Sequence, residues 1–461
     1  MTPAQLQALA AITGPDDLLC DAADCWPYGY DNSRRHQAPA AVAFPRDHET
    51  VLRIVQFCNR EAIPITPRGR GTGTTGATVP TRGGLVLSTE RMDRILAIDP
   101  ANRTITVEPG VTNQAVQDRA GEHGLFWPPD PTSAAFCTIG GNLAYNSAGP
   151  RAVKYGTPRE NTLGLRAVSG AGEDFRCGVH TTKGVVGYDL TRLLIGSEGT
   201  LAIITEATLK LLPRPATKGT MRAVYRDIGS AARAIAGIMG QPQVPCALEF
   251  MDAQAIAMIR HHSRADLPRQ AGALLLIEAD GSPATVEEGI AAIHAAARND
   301  GLVDFRSATN REEIKALWDT RKALSPALRT VAPKKINEDV VVPVSRLPDL
   351  ITGLEALARR FAITIVNFGH AGNGNIHVNL LVDPDDGDQM ARAHACLDQV
   401  FGLVLSLNGT LSGEHGVGLE KRDFITREIG AEALGLMRRI KDQFDPRHIL
   451  NPGKMLPPAS P

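Results

Sequence analysis

Residues 364–379 read TIVNFGHAGNGNIHVN. Two apolar runs flank Asn373-Gly374, and Asn-Gly is the strongest short-range signal for a two-residue hairpin turn, because both residues tolerate φ > 0. Counting outward from that turn, Gly372 faces Asn375, Ala371 faces Ile376 and His370 faces His377. Directly opposed residues have Cβ atoms about 4.5–5.5 Å apart, so the count places two imidazoles side by side at the base of the hairpin. Neutral imidazole is a favoured ligand of divalent metals. A pair of surface histidines on a polar hairpin is the plainer reading of the pair taken alone. Downstream, Ser412-Gly413-Glu414-His415-Gly416 sets a carboxylate and a third histidine between glycines, and this second stretch favours a metal site.

The chain has 461 residues, more than one hydrophobic core accommodates, so two or three domains are expected. With 43% hydrophobic and 21% charged residues it reads as an ordinary globular protein. Its 49 basic and 50 acidic residues nearly cancel. That argues against nucleic acid or an anionic membrane surface as the main partner, since both select a basic excess. No apolar run is long enough to span a bilayer. The start, MTPAQLQALAAITGPDD, lacks the basic-then-apolar order of a signal peptide. The expected location is the cytoplasm, with a peripheral position on the inner face of the membrane as the alternative. The seven cysteines are scattered; Cys20 and Cys25 are the one close pair, and C-x-x-C does not occur. Reduced thiols are expected, and an iron–sulfur cluster, which wants clustered cysteines, is not.

Residues 47–61, DHETVLRIVQFCNRE, put apolar side chains at Val51, Ile54, Val55 and Cys58, a helical spacing. A short strand is predicted over 63–66. PRGRGTGTTG, residues 67–76, follows. So glycine-rich a stretch makes no core element, but its bare N–H groups can converge on an anion, and Arg68 and Arg70 add positive charge. It is not a Walker A loop, and it lacks the register of a dinucleotide-binding Rossmann unit. A plain turn is the competing reading. Strands are predicted over 85–88, 94–98 and 103–107, and a helix over 113–122. Residues 127–161 show little regular pattern. Mixed aromatic and aliphatic residues argue against disorder there, and backbone wrapped round a ligand is the better reading. A strand-rich block, 190–213, closes the half, and Pro213 and Pro215 mark a domain boundary.

In the second half, strands at 247–251, 273–278 and 302–306 alternate with helical patterns, which suggests a sheet covered by helices on one face. A helix over 310–329 carries Trp318 and Arg321, with Ser325 one turn beyond Arg321 on the same side. Lys334 and Lys335 read by default as an exposed strand end before a strand at 340–342, and Asp339 reads as structural. Helices are predicted over 387–406 and 421–443.

Six stretches now stand in order along the chain: PRGRGTGTTG (67–76), PPDPTS (128–133), TIGGNLAYNSAGP (138–150), KYGTPRENTLGL (154–165), TTKGVVGYDLTRLLIGSEGTLAIITEATLKLLP (181–213) and NPGKM (451–455). Together they resemble the flavin-dependent oxidoreductases of the vanillyl-alcohol-oxidase type. The nearer likeness is to the branch of D-lactate dehydrogenase, the glycolate oxidase FAD subunit and D-2-hydroxyglutarate dehydrogenase. The resemblance implies an α+β fold: a two-part FAD-binding domain over 1–214, then an α+β substrate- and metal-binding domain over 215–461 with an antiparallel sheet. A C-terminal helical segment, 420–455, is expected to pack back on the FAD domain.

The resemblance also implies roles. The backbone of Arg68, Gly69, Arg70, Gly71, Thr72, Gly73 and Thr74 would hold the FAD pyrophosphate. Pro129, Asp130, Thr132, Thr138, Gly140, Gly141, Asn142, Asn146, Gly149, Glu198, Gly199, Ile203 and Asn451 would lie along the cofactor. Some relatives attach FAD through a histidine near the glycine loop; this loop has none, so non-covalent FAD is expected. For Glu198 a capping role in a turn is the plainer alternative. His370, His377 and Glu414 match the family's metal ligands and His415 its catalytic base. Arg321 would grip the substrate carboxylate, which a planar guanidinium can do with two parallel hydrogen bonds. Ser325 and Lys335 would line the substrate, Lys335 against a second carboxylate.

Two histidines and a glutamate leave open positions on a divalent ion; zinc is favoured, and manganese or iron also suits such ligands. A 2-hydroxy acid chelating the ion would have its hydroxyl acidified. His415 would take that proton, and the C2 hydrogen would pass as hydride to flavin N5. The expected activity is therefore an FAD- and metal-dependent D-2-hydroxy-acid dehydrogenase acting on D-lactate or glycolate. D-2-hydroxyglutarate or D-malate is the alternative within the class. An external acceptor would take the electrons: an electron-transfer flavoprotein, an iron–sulfur subunit, a cytochrome or a quinone. A zinc hydrolase using the same histidines and glutamate is the alternative of another class, and a flavoprotein subunit that acts only with partners is a third. Oligomeric state is open, a homodimer among the options.

Overall fold

The computed structural model describes residues 1–262, 267–308 and 310–458. The chain falls into two compact units: Met1–Ala148 with Gly156–Arg214 and Glu414–Pro461, and Gly149–Tyr155 with Pro215–Gly413. The chain thus passes between units four times; the expectation was a division at 214 with 420–455 packing back on the first domain.

The first unit has two sheets. In the smaller, Ala41–Ala43, Leu85–Ser88 and Ile65–Arg68 run parallel, with Leu18–Leu19 antiparallel at the edge. The helix His48–Glu61 covers it. Asp47 caps that helix by accepting the Thr50 N–H at 2.8 Å, Ala62 ends it in the left-handed conformation, and Val51, Ile54, Val55 and Cys58 are fully buried. The second sheet is antiparallel in the order Ile95–Asp99, Thr104–Val107, Ala202–Lys210, Thr162–Ser169, Asp174–Gly178. Its apolar face packs with Trp127, Ile139 and Leu143. The C-terminal stretch joins the smaller sheet: Ile65 donates to the Ile449 carbonyl and Asn451 to the Ile65 carbonyl, each at 2.7 Å.

The second unit is built on one antiparallel sheet of seven strands. Their order is Leu302–Ser307, Thr217–Tyr225, Ala273–Gly281, Ala247–Asp252, Thr364–His370, Asn375–Val382, Lys334–Val341. The helix Arg311–Val331 packs Leu324 and Leu328 with Leu274, Leu276, Met251 and Phe368 of the sheet. Gly149–Tyr155 is pinned to the same unit, where the Tyr155 hydroxyl donates to Asp280 at 2.7 Å and Lys154 pairs with the same carboxylate.

Four local expectations need correction. The hairpin loop is not a two-residue turn: Ala371–Asn373 form a short 3-10 turn and Gly374 closes it with φ +72°. Residues 127–161 are not loop throughout, since Ile139–Tyr145 and Ala152–Tyr155 are helical. In the 190–213 block Leu190–Leu194 is a helix. Residues 421–443 divide into a 3-10 turn, Arg422–Arg427, and a helix, Ala431–Phe444. Gly430, with φ –63° and ψ 157°, is extended backbone and stands between them. Seven free cysteines are present. No helix among the described residues is long and apolar enough to cross a membrane.

Candidate active site

The hairpin loop sets the register, and the register sets the site. With four residues in the loop, His370 pairs with Asn375 and His377 with Phe368. The pairing is displaced by two residues from the one counted out from Asn373-Gly374. A shift of two keeps every side chain on its face, whereas a shift of one would have turned the set over. The histidines are therefore diagonal neighbours on one face, their ring centroids 5.2 Å apart and nearly perpendicular. Gly374 is required: a Cβ there would lie 1.9 Å from the Val342 carbonyl oxygen.

The sheet brings further carboxylates to this face. Glu249 pairs with His370 from the next strand, and Asp339 pairs with His377 from the other side. Glu249 Oε1 lies 2.5 Å from His370 Nδ1, and Glu249 Oε2 accepts from Arg321 Nε at 2.8 Å. Burial would raise the Glu249 pKa, but the neighbouring His370 and Arg321 outweigh it and hold it below the usual carboxylate value. Asp339 accepts the Ser412 hydroxyl at 3.0 Å and the Gly413 N–H at 2.9 Å. A Cβ on Gly413 would lie 2.6 Å from Asn375 Nδ2. Ser412 and Gly413 are thus held against the hairpin, and Glu414 follows by one peptide bond.

One ligand atom from each of His370, His377 and Glu414 lies within 4.8 Å of the others. An ion with bonds of about 2.0–2.2 Å sets tetrahedral ligand atoms roughly 3.4 Å apart, a spacing within the 4.8 Å that bounds these atoms. With Nδ1 facing Glu249, His370 presents Nε2, the arrangement of a carboxylate–histidine–metal relay. The donor set therefore fits a divalent cation.

Arg321 is a partner of Glu249 first, and its guanidinium also stacks 4.7 Å from the Phe368 ring. A guanidinium has five N–H donors, so one bond to Glu249 does not exhaust it. Trp318, one turn earlier, donates to the buried Glu278 at 2.7 Å. Lys334–Val341 is one continuous strand, so the lysines lie in the sheet and not ahead of a strand at 340. Alternation puts Lys335 on the face of Asp339 and Lys334 on the other. The Ser325 side chain lies outside the described residues.

Glu249 was not foreseen. The available signal was an acidic residue within the apolar run ALEFMD, residues 247–252, since a carboxylate in a buried strand needs a partner.

The first unit has a cleft that is partly open to solvent. Arg68, Gly69, Gly140, Gly141, Glu198, Gly199, Ile203 and Asn451 line it. The backbone is bare where it comes close to other groups. A Cβ on Gly69 would lie 2.5 Å from the Thr138 hydroxyl, and one on Gly140 2.7 Å from Pro109. Tyr145 also lines the cleft, and its buried hydroxyl interacts with that of Thr75. A cleft walled by glycines allows a polar cofactor to approach the backbone closely.

The remaining candidates are not part of this lining. Arg70 and Thr72 belong to the glycine loop, with Gly71 at φ +65° and Gly73 against Tyr145. Thr74 follows in the same loop, which runs on to Thr75. Arg68 is buried, its guanidinium lies against Gly71 of the loop, and Nη1 donates to the Tyr30 carbonyl at 2.7 Å. Asn142 accepts from Asn113, and Pro129 does so through its carbonyl. Thr138 caps the helix Ile139–Tyr145. Asn146 accepts from Thr157 and from the Arg159 N–H. Asp130 donates its N–H to Ala148, Thr132 is exposed, and Gly149 begins the second unit's first segment.

Residues 214–455 match the family described as FAD linked oxidases, C-terminal domain, and residues 39–178 match an FAD binding domain. The chain belongs to the FAD-linked oxidases. Among relatives of these FAD-linked oxidases, the glycolate oxidase subunit GlcD of Bacillus subtilis is 40% identical over 97% of this chain and 96% of its own length. The probable mitochondrial D-lactate dehydrogenase of Danio rerio is 34% identical over 98% of this chain and 91% of its own. The fold is that of p-cresol methylhydroxylase, with a TM-score of 0.80 at 17% identity, covering 98% and 97% of the two chains. As an FAD-linked oxidase the chain is a flavin-dependent oxidoreductase.

Proposed function

We propose that this chain is an FAD- and divalent-metal-dependent dehydrogenase that oxidises a D-2-hydroxy acid of the D-lactate or glycolate type to the 2-oxo acid. One observation carries the reading: an FAD-linked oxidase gathers His370, His377 and Glu414 into a set suited to a cation. The names of the relatives support the substrate class. When bound, non-covalent FAD supplies a hydride acceptor at N5, and a divalent cation, zinc in first place, acidifies the substrate hydroxyl.

The chain's own residues do the rest. His370, oriented by Glu249, and His377 hold the cation with Glu414. His415, the next residue, takes the hydroxyl proton, because a metal-bound Glu414 cannot. Gly416, with φ +82°, lets the backbone turn directly after the pair. Arg321 holds the substrate carboxylate, its orientation set by Glu249 and Phe368. Lys335, on the hairpin's face, is the cation that a dicarboxylate substrate would need. The hydrolase alternative has no use for a family-wide FAD domain.

The test is anaerobic bleaching of the flavin by a panel of D- and L-lactate, glycolate, malate and 2-hydroxyglutarate, before and after chelation and metal restoration. D-lactate or glycolate is expected to bleach fastest, with chelation abolishing the effect. Bleaching by none of the panel, or bleaching indifferent to chelation, would sink the proposal.

A further inference from the structure

The loop after His415 is gripped by a buried carboxylate. Glu198, in Ser197-Glu198-Gly199, sits at φ +53°, a conformation that a non-glycine residue adopts at a cost and that clusters at functional positions. Its side chain turns to the loop: Oε1 accepts the Val417 N–H at 2.5 Å and Oε2 accepts the Gly418 N–H at 2.8 Å. Each oxygen takes one donor, so the carboxylate spans two consecutive peptide units.

The loop is shaped around this grip. A Cβ on Gly416 would lie 2.6 Å from Glu198 Oε1 and equally close to the Tyr145 ring, and one on Gly418 would lie 2.3 Å from the Thr75 carbonyl oxygen. Glu198 is itself held from behind. Its carbonyl accepts from Asn451 Nδ2 at 2.7 Å, and Asn451 Oδ1 accepts from Lys454 Nζ at 2.6 Å. The Gly418 carbonyl accepts the Met455 N–H at 3.0 Å. Burial pushes the Glu198 pKa up to about 7, against the pull of the two amides, Lys421 and Lys454. A carboxylate kept in such a place at such a cost serves the arrangement it makes.

We propose that Glu198 is the positioning residue of the His415 loop: by holding the Val417 and Gly418 amides it sets the direction in which His415 leaves the backbone. The proposal rests on His415 being the base. It gives Glu198 a task in addition to its place in the cleft lining, since each oxygen accepts from the loop.

The test uses the FAD-loaded protein. Glu198→Gln keeps the size and replaces one acceptor with a donor. Amide hydrogen exchange over 414–419 is expected to rise roughly tenfold or more, as for loss of a hydrogen bond to a charged acceptor, with FAD content unchanged. Val417→Pro removes a donor and leaves Glu198 intact; it should raise exchange over the same stretch. Anaerobic flavin reduction by D-lactate should slow in both variants with KM unchanged, and Glu198→Gln should add nothing in a His415→Ala background. Unchanged exchange in both variants overturns the proposal, as does loss of FAD without faster exchange. Additive slowing in the double variant overturns the claim that Glu198 acts through His415. If no hydroxy acid reduces the wild-type flavin, the proposed function falls, and the exchange measurement still decides the role of Glu198.

Discussion

Glu249 and His370 stand directly opposite each other on adjacent antiparallel strands, with the carboxylate Oε1 2.5 Å from the ring Nδ1. The contact fixes which imidazole nitrogen is left for a cation. Loss of such an outer partner typically weakens metal binding about 10–100-fold. Glu249→Gln is therefore expected to lower zinc affinity by that factor while FAD stays bound. Competition with a chelating dye measures the first and flavin absorbance the second. Unaltered zinc affinity would remove Glu249 from the site.

His415 follows Glu414 directly, and Gly416 follows at φ +82°. A positioned general base contributes about 10²–10⁴-fold. His415→Ala should slow flavin reduction by D-lactate by that order and leave FAD and metal content at wild-type levels. Retained bleaching would reject His415 as the base.

Gly374 combines φ +72° with a Cβ position 1.9 Å from the Val342 oxygen. The left-handed conformation alone costs an alanine about 1–2 kcal/mol, and the backbone clash adds to it. Gly374→Ala should lower the melting temperature and, by disturbing the loop between His370 and His377, the zinc affinity as well. A variant as stable as the parent would mean that the loop adopts another form in solution.

Asp252, buried, accepts the Asn367 N–H at 2.7 Å and the Ala255 N–H at 2.8 Å, and burial pushes its pKa up to about 6. The folded state thus binds this proton more tightly than the unfolded chain, whose value is near 3.8. Its contribution to stability is fully present below pH 3.8 and is lost as pH rises through 6. The size is on the order of 2–3 kcal/mol. Denaturation of wild type and Asp252→Asn between pH 4 and 7 should differ in slope, the variant losing less stability as pH rises. Parallel curves would show that Asp252 does not titrate in this range.

Local signals were legible where one element contains its own cause. The helix His48–Glu61 is written in Asp47 and in the spacing of Val51, Ile54, Val55 and Cys58, and it forms where that spacing predicts. The 421–443 stretch carries a helical pattern too, but Gly430 lies inside it and the chain forms a 3-10 turn before it and a helix after it. Residues 127–161 hid two short helices because helices of four to seven residues are stabilised by what they pack on, more than by their own periodicity.

The sequence alone determined that a glycine-rich loop, a histidine hairpin and a Ser-Gly-Glu-His-Gly turn occur in one chain. It also determined that both histidines share a face, because a two-residue register error preserves the period of a strand. What only the tertiary structure decided is who stands beside them. Glu249, Asp339 and Arg321 reach the hairpin through strand order and helix packing, and Glu198 reaches the His415 loop from more than two hundred residues away. Such neighbours are set by long-range hydrogen bonding between backbones, and no spacing along a single segment encodes it.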